Sequence, residues 1–309
     1  MKKHSKNVGL RINQISPGAN VVLSCFMILL AALFVVPVLL VISISFSSEE
    51  SIRQVGYKYI PVEWSTFAYE YVAKMGKGVW RCYGNTIFYS VAGTALSLII
   101  MSMFAYVLAR REFKARNGFA FYAFFTTLFG AGLVPTYILI TQWLQIDDTI
   151  WVFFLPSMVA AFNVIILRTF IQTTIHESLL ESAKLDGASE FQTYIKIVMP
   201  LFKAGLASVG LFTFVNRWND WFTGLTYVQN KDLQPIMTFL QKMQRQLDTL
   251  RAASTPDTMT PEAMEMLKSM PGASARMAIT FISMLPLMVC YPFFQKYFIK
   301  GLTVGSVKG

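Results

Sequence analysis

The stretch from Glu181 to Pro200 has the residue types and spacing expected of a surface that docks with another protein. A helix-prone segment leads into Gly187, which permits a backbone turn that a Cβ atom would hinder. A second amphipathic segment follows and ends at Pro200, because proline interrupts a continuing helix. We therefore predict a helix–turn–helix that lies against a membrane face and offers a ridge to a partner. The alternative is an ordinary amphipathic interfacial helix.

A polar cluster lies within a later apolar run and consists of Asn216, Arg217, Trp218, Asn219, Asp220 and Trp221. Charges within a membrane span are costly and usually face a protein interior or a water-filled cavity. Arg217 and Asp220 have the i, i+3 spacing that allows pairing on one helix face. Because sugars offer hydroxyls and apolar ring faces, one hypothesis is that the cluster lines a transport route, with Asn163 as a weaker candidate. The other hypothesis is a structural ion pair beside tryptophans at the headgroup level.

Enzymatic chemistry finds little support in the sequence. An intramembrane enzyme, such as a metal-dependent glycosyltransferase, would rely on Asp147 and Asp148, but no cluster of further ligands accompanies this pair. The stretch 76–78 carries a lysine between two glycines but lacks the spacing of a phosphate-binding loop. We therefore predict no catalytic residue, no metal ligand and no cofactor bound by this chain.

The elements that would position these groups are membrane-spanning helices. Hydrophobic residues make up 54% of the 309 residues and charged residues only 14%, against about 25% charged residues in typical soluble domains. So few charges cannot cover the surface of a soluble domain, whereas a lipid-facing surface needs none. The net charge of +10 resides in tails and short loops between apolar runs. This pattern is typical of contact with membrane lipid and not of nucleic-acid binding.

Six apolar runs approach or exceed the ~20 residues that cross a bilayer as a helix. They cover residues 21–46, 86–109, 119–140, 150–171, 206–228 and 277–299. The first run exceeds the about 7–15 residues of a signal-peptide core, so we expect it to remain as an uncleaved span. The predicted fold class is an all-α membrane protein with about six transmembrane helices.

Lysines and arginines mark three regions as cytoplasmic, because basic residues concentrate on that side of a membrane. They lie in the N-terminal tail 1–20, in the connection Arg110–Arg116 and in the C-terminal tail 300–309. The transmembrane domain 21–299 then connects two cytoplasmic termini in a multi-pass protein of the plasma (inner) membrane. On this topology the connection 229–276 is a long outer loop, and the helix–turn–helix faces the cytoplasm.

The docking segment resembles the EAA motif of ATP-binding-cassette importer permeases. Glu181, Ala183, Gly187, Ile197 and Pro200 match that motif with its spacing intact, while Ser182 replaces an alanine and Met199 a leucine. In that family the segment, here 177–203, is the coupling helix, which docks into a cleft of the ATP-binding subunit. The resemblance implies that this contact involves Glu181, Ser182, Ala183, Asp186, Gly187, Ile197 and Pro200.

The resemblance extends to the carbohydrate branch of that family, the maltose-permease type. It rests on Asp186-Gly187-Ala188, on the cluster 216–221, and on the ending from Phe298 to Gly309 with the pattern F-x-K-G-x-x-x-G-x-x-K-G. The implied protein is a bacterial type I importer permease that moves a carbohydrate, expected to be an oligosaccharide, by alternating access. An ion-coupled secondary transporter is the alternative, but it would leave the coupling motif unexplained.

The same resemblance implies a set of partners. Two ATP-binding subunits would hold ATP and Mg, so the permease itself would not be an enzyme. A second permease subunit, expected to be a different chain, would complete the membrane part. An extracytoplasmic sugar-binding protein would deliver the substrate to the face on which the outer loop 229–276 lies.

Overall fold

The computed structural model describes residues 17–74, 76–253 and 272–306. These residues form helices and connecting loops, and an isolated bridge between Ser47 and Trp64 is the only β-type pairing within the described ranges. The predicted all-α fold is therefore confirmed. The chain divides into a unit of residues 1–70 with 271–281 and a unit of residues 71–270 with 282–309.

The first unit contains α1 (Pro17–Ser45), α2 (Glu49–Val55), the start of α3 (Phe67–Lys74) and the start of α14 (Ala273–Ser306). Most apolar side chains of α1 are exposed, as expected of a helix that meets lipid on most sides. The Glu49 carboxylate accepts hydrogen bonds from the backbone N–H groups of Ala273 and Ser274, at 3.1 and 3.2 Å. A side chain of α2 thus caps the first turn of α14.

The second unit is built on α4 (Lys77–Ala109), which packs against α7 (Ala161–Thr174) and α11 (Lys203–Trp218). One face of α4 carries small residues at helical spacing, and they are buried: Ser90, Gly93, Thr94, Ser97, Ser102 and Ala105. Small side chains let helix backbones approach closely, which is how helices associate within a bilayer. The apolar core around these helices includes Met101, Leu108, Leu167, Val198 and Val209.

Shorter elements connect these helices. They are α5 (Arg116–Leu128), α6 (Leu133–Ile138), a π-helix (Leu139–Trp143), a 3-10 helix (Ile150–Phe153), α8 (Glu177–Leu185), α9 (Glu190–Thr193), a π-helix (Tyr194–Val198), α10 (Met199–Leu201), α12 (Phe222–Tyr227), a 3-10 helix (Lys231–Leu233) and α13 (Ile236–Ala253).

The helices reproduce three of the six predicted runs as unbroken spans, namely α1, α4 and α14. The third run is a bent pair, α5 with residues 133–143, which meet at 113°. Within the described residues, three helices are long and apolar enough to cross a membrane. The number rises to five if each of two bent pairs counts as one span, the second pair being Glu190–Leu201 with Lys203–Trp218. The fourth run supplies no further span of that kind, because it contains only a 3-10 turn and the 14-residue α7.

The breaks have local causes in the sequence. Gly132 has φ +82° between α5 and α6, a conformation that favours glycine. Pro156 follows the 3-10 helix of the fourth run and lies before α7 begins. Hydropathy alone does not reveal such breaks, because an apolar run keeps its composition when its backbone turns.

The predicted outer loop 229–276 is in fact largely helical where it is described. Residues 236–253 form α13, which buries Ile236 and Met243 at 1% and 7% exposure. This helix was not predicted because α13 is amphipathic and too polar to stand out as an apolar run. That the segment lies on the outer side stays a prediction. Residues 254–271 of this segment lie outside the described residues, as do residues 1–16, 75 and 307–309.

Candidate coupling elbow and transport cleft

The turn at Gly187 ends α8 in a defined way. The Gly187 N–H donates to the Lys184 carbonyl at 3.1 Å, and the Ala188 N–H donates to the Ala183 carbonyl at 3.0 Å. This pair of bonds is a Schellman motif, which requires a left-handed residue at the position of Gly187. Its φ is +77°, and a Cβ atom there would meet nothing within 4 Å. Substitution would therefore strain the backbone without causing a clash.

The next helix begins at once. The Ser189 hydroxyl accepts from the Gln192 N–H at 3.3 Å, and the Gln192 side-chain oxygen accepts from the Ser189 N–H at 3.1 Å. This is a capping box, which fixes the start of a helix by satisfying two free N–H groups. We call α8, α9 and the turn between them the elbow. The predicted helix–turn–helix is observed, and both of its ends are determined locally.

The motif residues of the segment 177–203 divide into buried and exposed positions. Ala183 is buried, its neighbour Leu180 belongs to the core that α4 and α7 form, and Ile197 is half-buried. The other predicted contact residues are exposed: Glu181, Ser182, Asp186, Gly187 and Pro200. The apolar motif positions therefore hold the elbow on the helices, and the remaining ones face outward.

Leu185 was missed by the sequence reasoning, although it is the most exposed large apolar residue that the structure describes. Its exposure is 89%, and Phe191 and Ile195 nearby on the chain are 60% and 43% exposed. Apolar side chains grouped on a surface indicate a contact site. The signal was present in the sequence, because Leu185 lies off the i, i+3 stripe of Leu180 and Ala183 that anchors α8.

Ionic contacts join the elbow to the basic connection after α4. Arg110 pairs with Glu190 at 2.9 Å, Lys184 with Glu112 at 2.9 Å, and Arg111 with Glu177 at 2.7 Å. The hydrogen bond from Lys184, together with the charges of Lys184 and Arg110, lowers the pKa of the Glu112 carboxyl. Exposed pairs contribute little individually. Together they place the basic connection and the elbow on the same face of the protein.

The polar cluster lies at a helix break instead of inside a continuous span. α11 ends at Trp218 and α12 starts at Phe222. The Asn219 side chain donates to the Val215 carbonyl at 3.0 Å, and the Asp220 carboxylate accepts from the Thr223 N–H at 3.0 Å. These two residues therefore cap the end of one helix and the start of the next.

A cleft of about 420 Å³ opens at this break. Five predicted residues line it, together with Ser157 and Phe222: Asn216, Arg217, Asn219, Asp220 and Trp221. The lining combines amides, one charge of each sign and the half-exposed ring of Trp221, over which the Arg245 guanidinium lies at 5.8 Å. Such groups can bind hydroxyls and stack on an apolar ring face.

The predicted ion pair between Arg217 and Asp220 does not form. Arg217 instead donates to the Phe153 and Ser157 carbonyls at 2.7 and 3.0 Å, and to the Ser97 hydroxyl at 2.8 Å. Within the described ranges no ion pair joins it to Asp220. The prediction assumed one continuous helix, whereas the break turns the Asp220 carboxylate towards the start of α12.

Two other predicted pathway residues lie outside the cleft lining. Trp218 is 1% exposed, and its indole N–H donates to the Ser283 carbonyl at 3.0 Å. It packs inside the protein, contrary to the prediction that it stacks on a substrate. Asn163 is half-buried and donates to the Thr213 hydroxyl at 3.4 Å, so it links α7 to α11.

Asp148, one of the two aspartates considered for an enzyme, makes hydrogen bonds within a loop. Asp148 accepts hydrogen bonds from the N–H groups of Gln229 and Asn230, at 3.0 and 2.7 Å. In the part of the chain that the structure describes, no group of three potential metal ligands is present. Asp148 therefore fastens one connection to another.

Comparisons with known proteins agree on one family. Residues 101–304 match the family described as binding-protein-dependent transport system inner membrane component. The polygalacturonan/rhamnogalacturonan transport system permease protein YtcP of Bacillus subtilis (strain 168) is 33% identical, over 92% of this chain and 96% of that protein. Protein LplC of the same organism is 35% identical, over 90% of each chain.

A solved structure shares the fold. It is described as a bacterial ABC transporter involved in the import of the acidic polysaccharide alginate. The aligned chain is 29% identical with a TM-score of 0.77, and the match covers 90% of the present chain and 96% of that one. The structural match identifies the type I importer permease fold.

Proposed function

Since the chain belongs to the family of binding-protein-dependent transport system inner membrane components, we propose that it is the transmembrane subunit of an importer powered by two ATP-binding subunits. ATP would be hydrolysed in those subunits, where ATP and Mg bind. The permease would respond by alternating access, with its cleft open first to one side of the membrane and then to the other.

The exposed elbow is the observation that carries this proposal. Its turn is fixed by a Schellman motif and a capping box. The elbow can therefore transmit a movement of the ATP-binding subunit to the permease helices without unfolding. Leu185, at 89% exposure, provides an apolar side chain that a cleft in the ATP-binding subunit can bury. Glu181 and Asp186 add exposed carboxylates around it. The coupling segment of the permease domain 21–299 is thus 177–203.

The proposed substrate is an oligosaccharide. The cleft at the break after α11 offers amides and the Trp221 ring, which suit sugar hydroxyls and ring faces. Relatives support this class, because they are named for polygalacturonan/rhamnogalacturonan transport and for arabinooligosaccharide transport. A helix break at such a cleft is common in transporters, where it frees backbone polar groups for binding.

The orientation and remaining partners follow from the elbow. Contacts of Arg110 and Arg111 with the elbow put the basic connection beside it, which supports a cytoplasmic location for both and for the two tails. The segment 229–276 then faces the outside, where it would meet an extracytoplasmic sugar-binding protein. A second permease subunit, expected to be a different chain, would complete the complex in the bacterial inner membrane.

The test is sugar uptake by membrane vesicles, measured with and without internal ATP and compared between two glycine variants. Gly187→Val strains the elbow turn by about 1–2 kcal/mol, so we expect ATP-driven uptake and copurification of the ATPase subunits to fall. Gly56→Val is the control, because Gly56 also has φ +74° and open surroundings but lies in the first unit. With ψ −163° it occupies a conformation that is essentially restricted to glycine, so its substitution strains the backbone at least as much. This control should keep both activities.

Uptake that follows an ion gradient and ignores ATP would instead indicate a secondary transporter. Equal losses in both glycine variants would show that strain anywhere in the chain impairs uptake, and the elbow would lose its assigned role.

A further inference from the structure

A second cavity lies beside the elbow, where α4 and α7 end and α5 and α8 begin. Its volume is about 480 Å³. Its polar lining consists of Arg110, Arg111, Arg116, Gln172, His176 and Glu177. Buried apolar residues of α7 and the turn after it form another part of the wall, among them Ile171. The proposed transport function assigns no ligand to this cavity.

The charges that line the cavity are not balanced. Arg110 and Arg111 pair with Glu190 and Glu177. The Arg116 guanidinium lines the same space and has neither an ion pair nor a hydrogen bond to another described residue. Arginines thus outnumber the acids of the lining, and one of them has its fork of N–H donors available.

The local backbone adds to this positive potential. α5 begins at Arg116, and the preceding Ala115 offers no side-chain acceptor to the free N–H groups of its first turn. No acidic residue occupies that turn. The positive end of the helix dipole therefore coincides with an unpaired arginine at the rim of a cavity.

We propose that this cavity binds a phosphate group, and that the group belongs to an anionic phospholipid of the adjacent leaflet. Arginine forks match phosphate oxygens in two-point contacts. The lipid source is favoured because the cavity lies at the ends of membrane helices and has an apolar wall beside its charges, which suits a glycerol backbone and the start of an acyl chain. The proposed orientation makes that leaflet the cytoplasmic one, but the phosphate site itself does not depend on the transport proposal.

A headgroup bound there would join the start of α5 to the junction of α7 and α8. The elbow begins at Glu177, which lines the same cavity. Anionic lipid would therefore stabilise the position of α8, and its removal would loosen the elbow without changing any residue that faces the ATP-binding subunit.

The experiment uses the full chain in a neutral detergent and measures the binding of phosphatidylglycerol by native mass spectrometry, with phosphatidylcholine as the uncharged comparison. Arg116→Gln removes the unpaired charge, and we expect it to weaken phosphatidylglycerol binding about fivefold or more, as loss of a charge-assisted contact should. Lys114→Gln is the matched control, because Lys114 is an exposed cation two positions away that does not line the cavity. Its binding should equal that of the parent chain.

A second variant and a second ligand complete the design. Gln172→Glu places a negative charge in the lining and should also weaken phosphatidylglycerol binding. This variant tests the site even if Arg116→Gln does not fold. Inorganic phosphate, added at millimolar concentration, should not displace the lipid. Displacement with the same dependence on Arg116 would keep the phosphate site but overturn the lipid source.

Two results would overturn the site altogether. One is phosphatidylglycerol binding that is unchanged in both cavity variants, or reduced equally in Lys114→Gln. The other is lost copurification of the ATP-binding subunits in Arg116→Gln with lipid binding intact, which would assign the cavity to a protein contact.

Discussion

The elbow and the cleft differ in whether their side chains already make contacts within the protein. In the elbow, Leu185 and the carboxylates of Glu181 and Asp186 remain exposed, and internal hydrogen bonds determine only the shape of the backbone. At the cleft, Arg217, Asn219 and Asp220 already bind groups within the protein. A surface that binds another protein needs side chains that make no contacts within its own chain. The side chains that line an open cleft can instead form hydrogen bonds that hold the surrounding helices in place. The two regions should therefore respond differently to substitution.

The largest effect is expected from Leu185→Asp. A charged side chain cannot enter an apolar cleft of a partner, so ATP hydrolysis stimulated by sugar should fall at least about tenfold. The folded permease should be obtained in normal amounts, because Leu185 makes no buried contact. Leu144→Asp is the control, since Leu144 is 50% exposed but lies outside the elbow. Similar losses in both variants would show that the effect does not depend on the elbow.

The second effect is a loss of stability at the cleft. Arg217→Met leaves the Phe153 and Ser157 carbonyls without their donor, which should lower the free energy of unfolding by about 1–3 kcal/mol. The thermal midpoint and the yield of folded protein measure this change. Asp220→Asn keeps the oxygen that caps α12 and should change the midpoint much less. A loss as large as that of Arg217→Met would indicate an ion pair that the structure does not show.

The third effect separates the two tryptophans. Trp221→Ala removes an exposed ring of the cleft and should raise the sugar concentration for half-maximal uptake about two- to tenfold, as the loss of a stacking contact predicts. Trp218→Phe removes the bond to the Ser283 carbonyl and part of a buried ring, so it should lower the thermal midpoint without changing that concentration. Uptake that responds more to the change at Trp218 would reverse the assignment.

The smallest effect is expected from Glu112→Gln. The pKa of the Glu112 carboxyl is lowered in the folded chain, chiefly by the hydrogen bond from Lys184. A lowered pKa means that the carboxylate contributes stability above its unfolded pKa and loses this contribution as the pH falls through the folded value. The variant should therefore melt slightly below the parent at neutral pH and equally with it in acid. A difference that grows on acidification would contradict this sign.

Some of these features could be predicted because their causes are local. Gly187 and Pro200 mark the elbow by their backbone preferences, and the basic residues near Arg110 contact it. The family was indicated by the resemblance of the motif at 181–200, and the sugar class by the resemblance of residues 186–188, the cluster 216–221 and the ending of the chain to the carbohydrate branch. The comparisons confirm the family, whereas the sugar class remains a proposal that the names of relatives support.

Other features depend on tertiary structure and could not be predicted. The break between Trp218 and Phe222 decides that Asp220 caps α12 and that Arg217 bonds to carbonyls from the 150–157 region. The burial of Trp218 depends on Tyr83 and on Ser283, far from it along the chain. The helix α13 was missed because an amphipathic helix in a polar segment has no apolar run to reveal it.

The central claim is that the elbow contacts the ATP-binding subunit, and cross-linking from Leu185→Cys tests it most directly. The native cysteines Cys25, Cys82 and Cys290 are first replaced by serine, and Leu144→Cys serves as the control at another exposed leucine. A short thiol-to-amine reagent is applied to membranes that contain the assembled complex, and the products are identified by mass spectrometry. The account predicts a product that joins the permease to the ATP-binding subunit from position 185 and none from position 144. A product from 144 alone, or none from 185 while the complex remains assembled, would contradict it.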